Sequence, residues 1–149
     1  MSNKAIVSAA FVLSSTVGAW AEGFCAQLDT LMAATLNPSA VVTFDLGETL
    51  DQPANCTHSR GLKGVSSLHC AQEFAYRSTD AKTAFGNLLE KVSLCTIAIS
   101  RDDQLVSHPD SYDLRQFQLG SGTVSVSLKD KASLAETYLF LRVSQPGTP

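Results

Sequence analysis

Apolar residues recur at helical spacing in two stretches of the chain. From Glu22 to Leu36 and from Asp80 to Cys95, they return every three or four residues, as on one face of a helix. The residues "NPS", directly after Leu36, end the first stretch. Ser78, Thr79 and Asp80 offer an N-cap for the second. The pattern therefore predicts two amphipathic helices, each with one face available to a core.

The sequence from Phe117 to Ser144 is typical of a three-stranded meander. Its middle strand alternates valine and leucine with serine, as an antiparallel strand with one buried face does. Its last strand is apolar on both faces at the centre and is predicted to be internal: one face carries Leu139, Leu141 and Val143, and the other carries Tyr138, Phe140 and Arg142. Shorter extended segments are predicted in "AVVTFDL", in "NCTHSRGLKGVSSLHC" with its continuation "AQEFAYR", and in "TIAIS".

These patterns predict an α+β fold. We expect a mostly antiparallel sheet of about five or six strands, with two helices packed on one face and disulfides holding the structure together. The chain has 149 residues, 44% of them hydrophobic, which suits one domain with its own core. That domain is predicted to span residues 22–144, followed by a flexible tail at residues 145–149.

The first 21 residues have the organisation of a secretory signal peptide. A short start with Lys4 precedes the apolar run "AIVSAAFVLSSTVG", and "AWA" provides a small-x-small cleavage site ending at Ala21. The run is too short and too rich in serine for a membrane span. Phe24 is not the small residue that lipid attachment at Cys25 would need. The sequence thus predicts a bacterial periplasmic or secreted protein without a membrane anchor.

Four cysteines follow this segment, and in an exported chain they predict two disulfides. Three connectivities are open. Cys25 and Cys95 border the apolar stripes of the two predicted helices, so their sulfurs can meet if the helices pack together. We therefore favour the nested pairing of Cys25 with Cys95 and of Cys56 with Cys70.

The residues around the inner pair also have the ligand types of a zinc site: Cys56, His58, His69 and Cys70. The register of the predicted hairpin argues against a zinc site. With Gly64 as the left-handed residue of the loop Leu62–Lys63–Gly64, Cys56 falls opposite Cys70. His58 then shares their face while His69 lies on the other, because neighbouring residues alternate. The sequence favours a disulfide here and predicts no metal and no cofactor.

The same hairpin is the candidate binding site. Arg60, Leu62 and Lys63 lie at its tip, with Arg77 expected nearby, so a braced loop could present positive charge to an acidic partner. The alternative is a solvent-exposed turn without a binding role. A nucleic-acid partner is not predicted, because the net charge is -3 and the 11 lysines and arginines are scattered.

The function predicted from these features is an exported, non-catalytic binding protein, of the inhibitor or immunity type or an envelope accessory protein. Its partner would be another envelope or secreted protein. The alternatives are a structural envelope protein and a small secreted hydrolase that uses His108 with Asp110 or Asp113. The hydrolase is disfavoured because the chain has no G-x-S-x-G element and because histidine, aspartate and serine are common in proline turns.

Overall fold

One antiparallel sheet of seven strands, with two helices on one of its faces, forms the fold in the computed structural model. The structure describes residues 17–44, 46, 54–61, 64–99 and 109–146. The helices are α1 (Val17–Ala34) and α2 (Thr79–Ser93). The strands are β1 (Val42–Phe44), β2 (Ala54–Arg60), β3 (Ser66–Ala75), β4 (Ile97–Ala98), β5 (Tyr112–Leu119), β6 (Gly122–Lys131) and β7 (Glu136–Ser144). The α+β class and the antiparallel sheet are confirmed.

The strands are arranged in the order β1-β2-β3-β7-β6-β5-β4. The last strand of the chain therefore lies in the middle of the sheet, as its two apolar faces predict. The count of seven exceeds the predicted five or six because two short edge strands, β1 with three residues and β4 with two, both join the same sheet.

The second predicted helix is confirmed as α2. Ser78 is its N-cap, and its hydroxyl accepts a hydrogen bond from the Ala81 N–H at 3.1 Å. The helix α1 begins at Val17 rather than Glu22, so it continues across Ala21, the last residue of the predicted signal peptide. The cleavage site and the domain limits stay predictions. Gln145, the first residue of the predicted tail, donates hydrogen bonds to the carbonyls of Ser66 and Met32.

Both helices pack on the same face of the sheet. Their buried leucines and valine meet a layer of fully buried side chains from the central strands; this core includes Leu28, Leu31, Leu88, Val92, Leu68, Val124, Val126, Leu139, Leu141 and Val143. We call this side the core face and the opposite side the outer face.

Two disulfides hold the structure, with the predicted nested connectivity. Cys25–Cys95 joins α1 to the residues that follow α2, with Cα atoms 5.4 Å apart. Cys56–Cys70 joins the two strands of the predicted hairpin. Two disulfides are consistent with an exported protein or an oxidising compartment.

Candidate functional site

The hairpin of β2 and β3 has the predicted register. Its loop closes where the Gly61 N–H donates to the Val65 carbonyl at 2.8 Å. Gly64 has φ 71°, the left-handed conformation that glycine adopts without strain. The strands then pair Arg60 with Ser66, His58 with Leu68 and Cys56 with Cys70.

The register of the hairpin brings Cys56 and Cys70 close enough for a disulfide. Hydrogen-bonded and non-hydrogen-bonded pairs alternate along antiparallel strands. Because Gly61 and Val65 are hydrogen-bonded, the cysteines five pairs further along fall in a non-hydrogen-bonded pair, where Cα atoms approach most closely. Their Cα atoms are 4.0 Å apart, and Cys70 is buried. The two strands are thus linked covalently at the end of their paired region that lies farthest from the loop.

The two histidines of this segment lie on opposite faces of the sheet. His58 shares the core face, and its Nε2 is 3.2 Å from the Ala40 carbonyl. His69 lies on the outer face, 4.8 Å from the Phe140 ring between centroids. Burial lowers the pKa of His69, and the nearby positive charge of Arg142 lowers it further.

A zinc site cannot form from these four residues as they are arranged. The two cysteine sulfurs are bonded to each other, and the two imidazoles are separated by the sheet. In the parts of the chain that the structure describes, no three His, Cys, Asp or Glu side chains are grouped closely enough to hold a metal ion.

The structure describes two of the four residues of the candidate binding site, Arg60 and Arg77, and places them far apart. Arg60 is exposed at the last position of β2, beside the loop. Leu62 and Lys63 lie outside the described residues. Arg77 follows the far end of β3, a strand of 10 residues, so it lies about 30 Å from the tip at about 3.3 Å per residue. Arg77 therefore cannot join Arg60 in one small contact.

Arg77 has a structural role at that far end. Its Nε donates to Asp130 at 2.9 Å, and its own N–H donates to the Thr137 hydroxyl at 2.8 Å. Thr137 and Ser111 also donate to the Asp130 carboxylate. Sequence reasoning missed this cluster because Arg77 and Asp130 are 53 positions apart.

Asp130 is the acceptor at the centre of this cluster, and it is only 6% exposed. Burial alone would raise the pKa of its carboxyl, but three hydrogen bonds and the charge of Arg77 outweigh burial and lower the pKa below 3.8. The cluster joins the turn before α2 to β6 and β7. The cluster therefore has a structural role.

The two carboxylates of the alternative hydrolase site, Asp110 and Asp113, are engaged in local structure. His108 lies outside the described residues. Asp110 accepts hydrogen bonds from Lys131 Nζ at 3.2 Å and from the Ala132 N–H at 2.9 Å. Asp113 accepts one from Arg115 at 3.2 Å. The contacts of Asp110 hold a turn in place, and the contact of Asp113 holds a strand.

The outer face carries a second set of side chains that sequence reasoning did not assemble. Strand pairing arranges them in three rows across β3, β7, β6 and β5. The Tyr138 row contains Glu73, Tyr138, Lys129 and Tyr112; the Phe140 row contains Ala71, Phe140, Ser127 and Leu114; the Arg142 row contains His69, Arg142, Ser125 and Gln116. The alternation in β7 indicated part of this face, but the rows require knowing that β3 pairs with β7.

Three neighbouring rings form a strip on this face. Tyr138 and Phe140 are nearly parallel, with centroids 5.8 Å apart, and His69 lies on the other side of Phe140. Tyr138 donates a hydrogen bond to Glu136, and this bond raises the pKa of Tyr138 to about 12. The phenol therefore stays neutral and fixed at any physiological pH.

A shallow depression of about 310 Å³ lies on the exposed side of α2, lined by Asn87, Glu90, Lys91 and Leu94. Its lining contains no histidine, serine or cysteine, so it does not supply the groups of a nucleophilic hydrolase.

None of the helices in the described part of the chain is both long and apolar enough to cross a membrane. The chain matches no protein-family model, and comparison with curated proteins and with solved structures gives no significant match.

Proposed function

We propose that this chain is an exported, non-catalytic binding protein of the periplasm or the extracellular space, and that the tip of the β2–β3 hairpin binds an acidic surface on another envelope or secreted protein. The observation that supports this most is the covalent brace. A disulfide links the two strands of the hairpin four residue pairs from the Arg60–Ser66 pair, so the strands that carry the loop are restrained before they meet a partner and less conformational entropy is lost on binding.

The charge at the tip supports an acidic partner. Arg60 is exposed at the end of β2, and Lys63 adds a second cation in the sequence of the loop. The chain as a whole has a net charge of -3, so this positive tip contrasts with the rest of the molecule. Complementary charge of this kind speeds association and selects the partner.

Capture from an envelope extract tests the proposal. Mature protein with intact disulfides is compared with the double variant Arg60→Glu, Lys63→Glu. A second double variant on α2, Lys82→Glu with Lys91→Glu, has the same total charge change and serves as the control. We expect the hairpin variant to lose a partner that the control retains, and we expect that capture to weaken as salt is raised. Equal capture by both double variants would remove the hairpin tip from the proposal.

A further inference from the structure

The two disulfides differ in how far their sulfur atoms are shielded from solvent. Both cysteines of Cys25–Cys95 are only partly buried. In Cys56–Cys70, by contrast, Cys70 is only 1% exposed and belongs to the hydrophobic core, where it pairs with Leu141 of the central strand. In thiol–disulfide exchange, a thiolate attacks one sulfur and the other sulfur leaves. Access to the first sulfur and the surroundings of the second therefore set the rate.

Exchange at the inner disulfide is unfavourable in the folded protein. Of its two residues only Cys56 is partly exposed, so attack there would release Cys70 as a thiolate inside the core. Apolar surroundings raise the pKa of a thiol, and a thiol of high pKa is a poor leaving group. We therefore expect Cys56–Cys70 to stay closed as long as the sheet is folded.

The outer disulfide lies where a second molecule can reach it. Cys95 connects α2 to β4, which is an edge strand of the sheet. The residues on either side of Cys95 include two large side chains that are mostly exposed, Leu94 at 63% and Ile97 at 74%. An incoming thiolate can therefore approach the Cys95 sulfur from solvent at this edge.

The two helix ends beside this bond favour Cys25 as the sulfur that leaves. Cys95 follows α2, and its Sγ is 3.6 Å from the Lys91 carbonyl oxygen at the negative end of that helix. Cleavage after Ala21 would place Cys25 in the first turn of mature α1, where the helix N-terminus lowers the pKa of a thiol. The ammonium and the carboxylate of Glu22 there offset each other. Because the thiol of lower pKa leaves faster, attack on Cys95 is favoured.

We propose that Cys25–Cys95 is a thiol–disulfide exchange site for a dithiol oxidoreductase of the same compartment, and that the enzyme attacks Cys95. One enzyme thiolate bonds to Cys95 Sγ, and the Cys25 sulfur leaves with the electron pair and takes a proton from water. The second enzyme thiolate then attacks the enzyme sulfur of this mixed disulfide and releases Cys95, which is protonated. The chain gains two electrons and two protons, and the dithiol becomes a disulfide. The proposal rests on the proposed export but not on the hairpin tip.

Opening this bond loosens α1. The helix is then held to the rest of the protein by noncovalent contacts alone, among them the buried side chains of Leu28 and Leu31 and the ring contact of Phe24 with Phe44, with centroids 5.7 Å apart. A helix as short as mature α1 is marginal by itself in water. The hairpin of β2 and β3 keeps its own disulfide, so reduction acts on α1 selectively.

A time course of reduction in native buffer tests the proposal. Reduced glutathione is added to the oxidised mature protein, free thiols are blocked with iodoacetamide at intervals, and peptide mass spectrometry locates the modified cysteines. We expect Cys25–Cys95 to open about tenfold faster than Cys56–Cys70 or more, with glutathione on Cys95 rather than on Cys25. Thioredoxin with its second cysteine replaced by serine should be trapped on Cys95 as well. The variant Cys56→Ala with Cys70→Ala should open its remaining disulfide at the wild-type rate.

Several results would overturn the proposal. They are equal rates for the two disulfides, faster opening of Cys56–Cys70, no opening of Cys25–Cys95 until urea unfolds the protein, and exchange with glutathione but not with thioredoxin. Hydrogen exchange provides a second readout: the amides of α1 should exchange faster after reduction, while those of β2 and β3 stay protected. No binding partner is present in these assays, so their failure and the failure of the hairpin tip to capture a partner are separate outcomes.

Discussion

Gly122, at the start of β6, lies where α1 comes closest to the sheet. A Cβ atom placed there would be 2.7 Å from the Sδ and Cε atoms of Met32 and 2.8 Å from the carbonyl oxygen of Ser144. The methionine end can move, but the carbonyl belongs to the central strand. The absence of a side chain at this position is therefore what allows α1 to approach β6 and β7.

We expect Gly122→Ala to lower the free energy of unfolding by about 1–3 kcal/mol, since it overpacks this contact. Gly86 provides the matched control, because it is exposed in the middle of α2 with no atom within 4 Å of an added Cβ. Gly86→Ala should raise stability by about 0.5–1 kcal/mol through helix propensity. Urea unfolding measures both. Equal effects of the two substitutions would contradict the close approach at Gly122.

Asp130 is the second residue on which local structure depends. Its carboxylate accepts hydrogen bonds from Thr137, Ser111 and Arg77, and Asp130→Asn would leave at least one of these donors without an acceptor. We expect a loss of about 2–4 kcal/mol in the free energy of unfolding. Asp29→Asn, at an exposed position on α1, has the same chemistry and should change stability little. A loss at Asp130 no larger than at Asp29 would be inconsistent with a brace.

At the scale of elements, the hairpin could be predicted in detail because its determinants are local. Gly64 sets the turn and two cysteines 14 residues apart fix the register, so counting outward from the glycine was enough. The position of Arg77 could not be predicted in the same way. Its partner Asp130 lies on β6, and only the pairing of β7 with both β3 and β6 brings them together. The start of α1 was predicted too late because apolar residues assigned to the signal peptide also suit a helix.

The two disulfides should differ in their contribution to stability. Cys25–Cys95 closes 70 residues and Cys56–Cys70 closes 14, so the chain-entropy relation gives about 4.4 and about 3 kcal/mol. We expect Cys25→Ala with Cys95→Ala to lower the free energy of unfolding more than Cys56→Ala with Cys70→Ala. Equilibrium unfolding of the two double variants gives the comparison, and the reverse order would show that strain or packing, rather than loop length, dominates.

For the molecule as a whole, pH changes the free energy of unfolding through the protonation of His69, which lies on the outer face. Burial, and then Arg142, lower the pKa of His69 in the folded state. Between that lowered pKa and the unfolded value of 6.5, the unfolded chain binds more protons than the native one. The stability linked to His69 is therefore fully present above 6.5 and is lost as the pH falls below it.

We expect the free energy of unfolding of the wild-type protein to fall between about pH 7 and about pH 5, and that of His69→Gln to fall less. Asp130 does not contribute to this window, because its carboxyl titrates below 3.8. Chemical unfolding of both proteins at low concentration and at several pH values measures how steeply the free energy of unfolding of each depends on pH. Parallel slopes would mean that His69 is not shielded as the structure indicates.

In our proposal, the hairpin tip is the surface through which an exported protein binds its partner. Site-specific photo-cross-linking in cells tests it most directly, with a photoreactive residue replacing Lys63 in one chain and Lys82, on α2, in another. We expect a discrete adduct with an acidic envelope or secreted protein from position 63 and none from position 82. No adduct from position 63, or the same adducts from both positions, would contradict it.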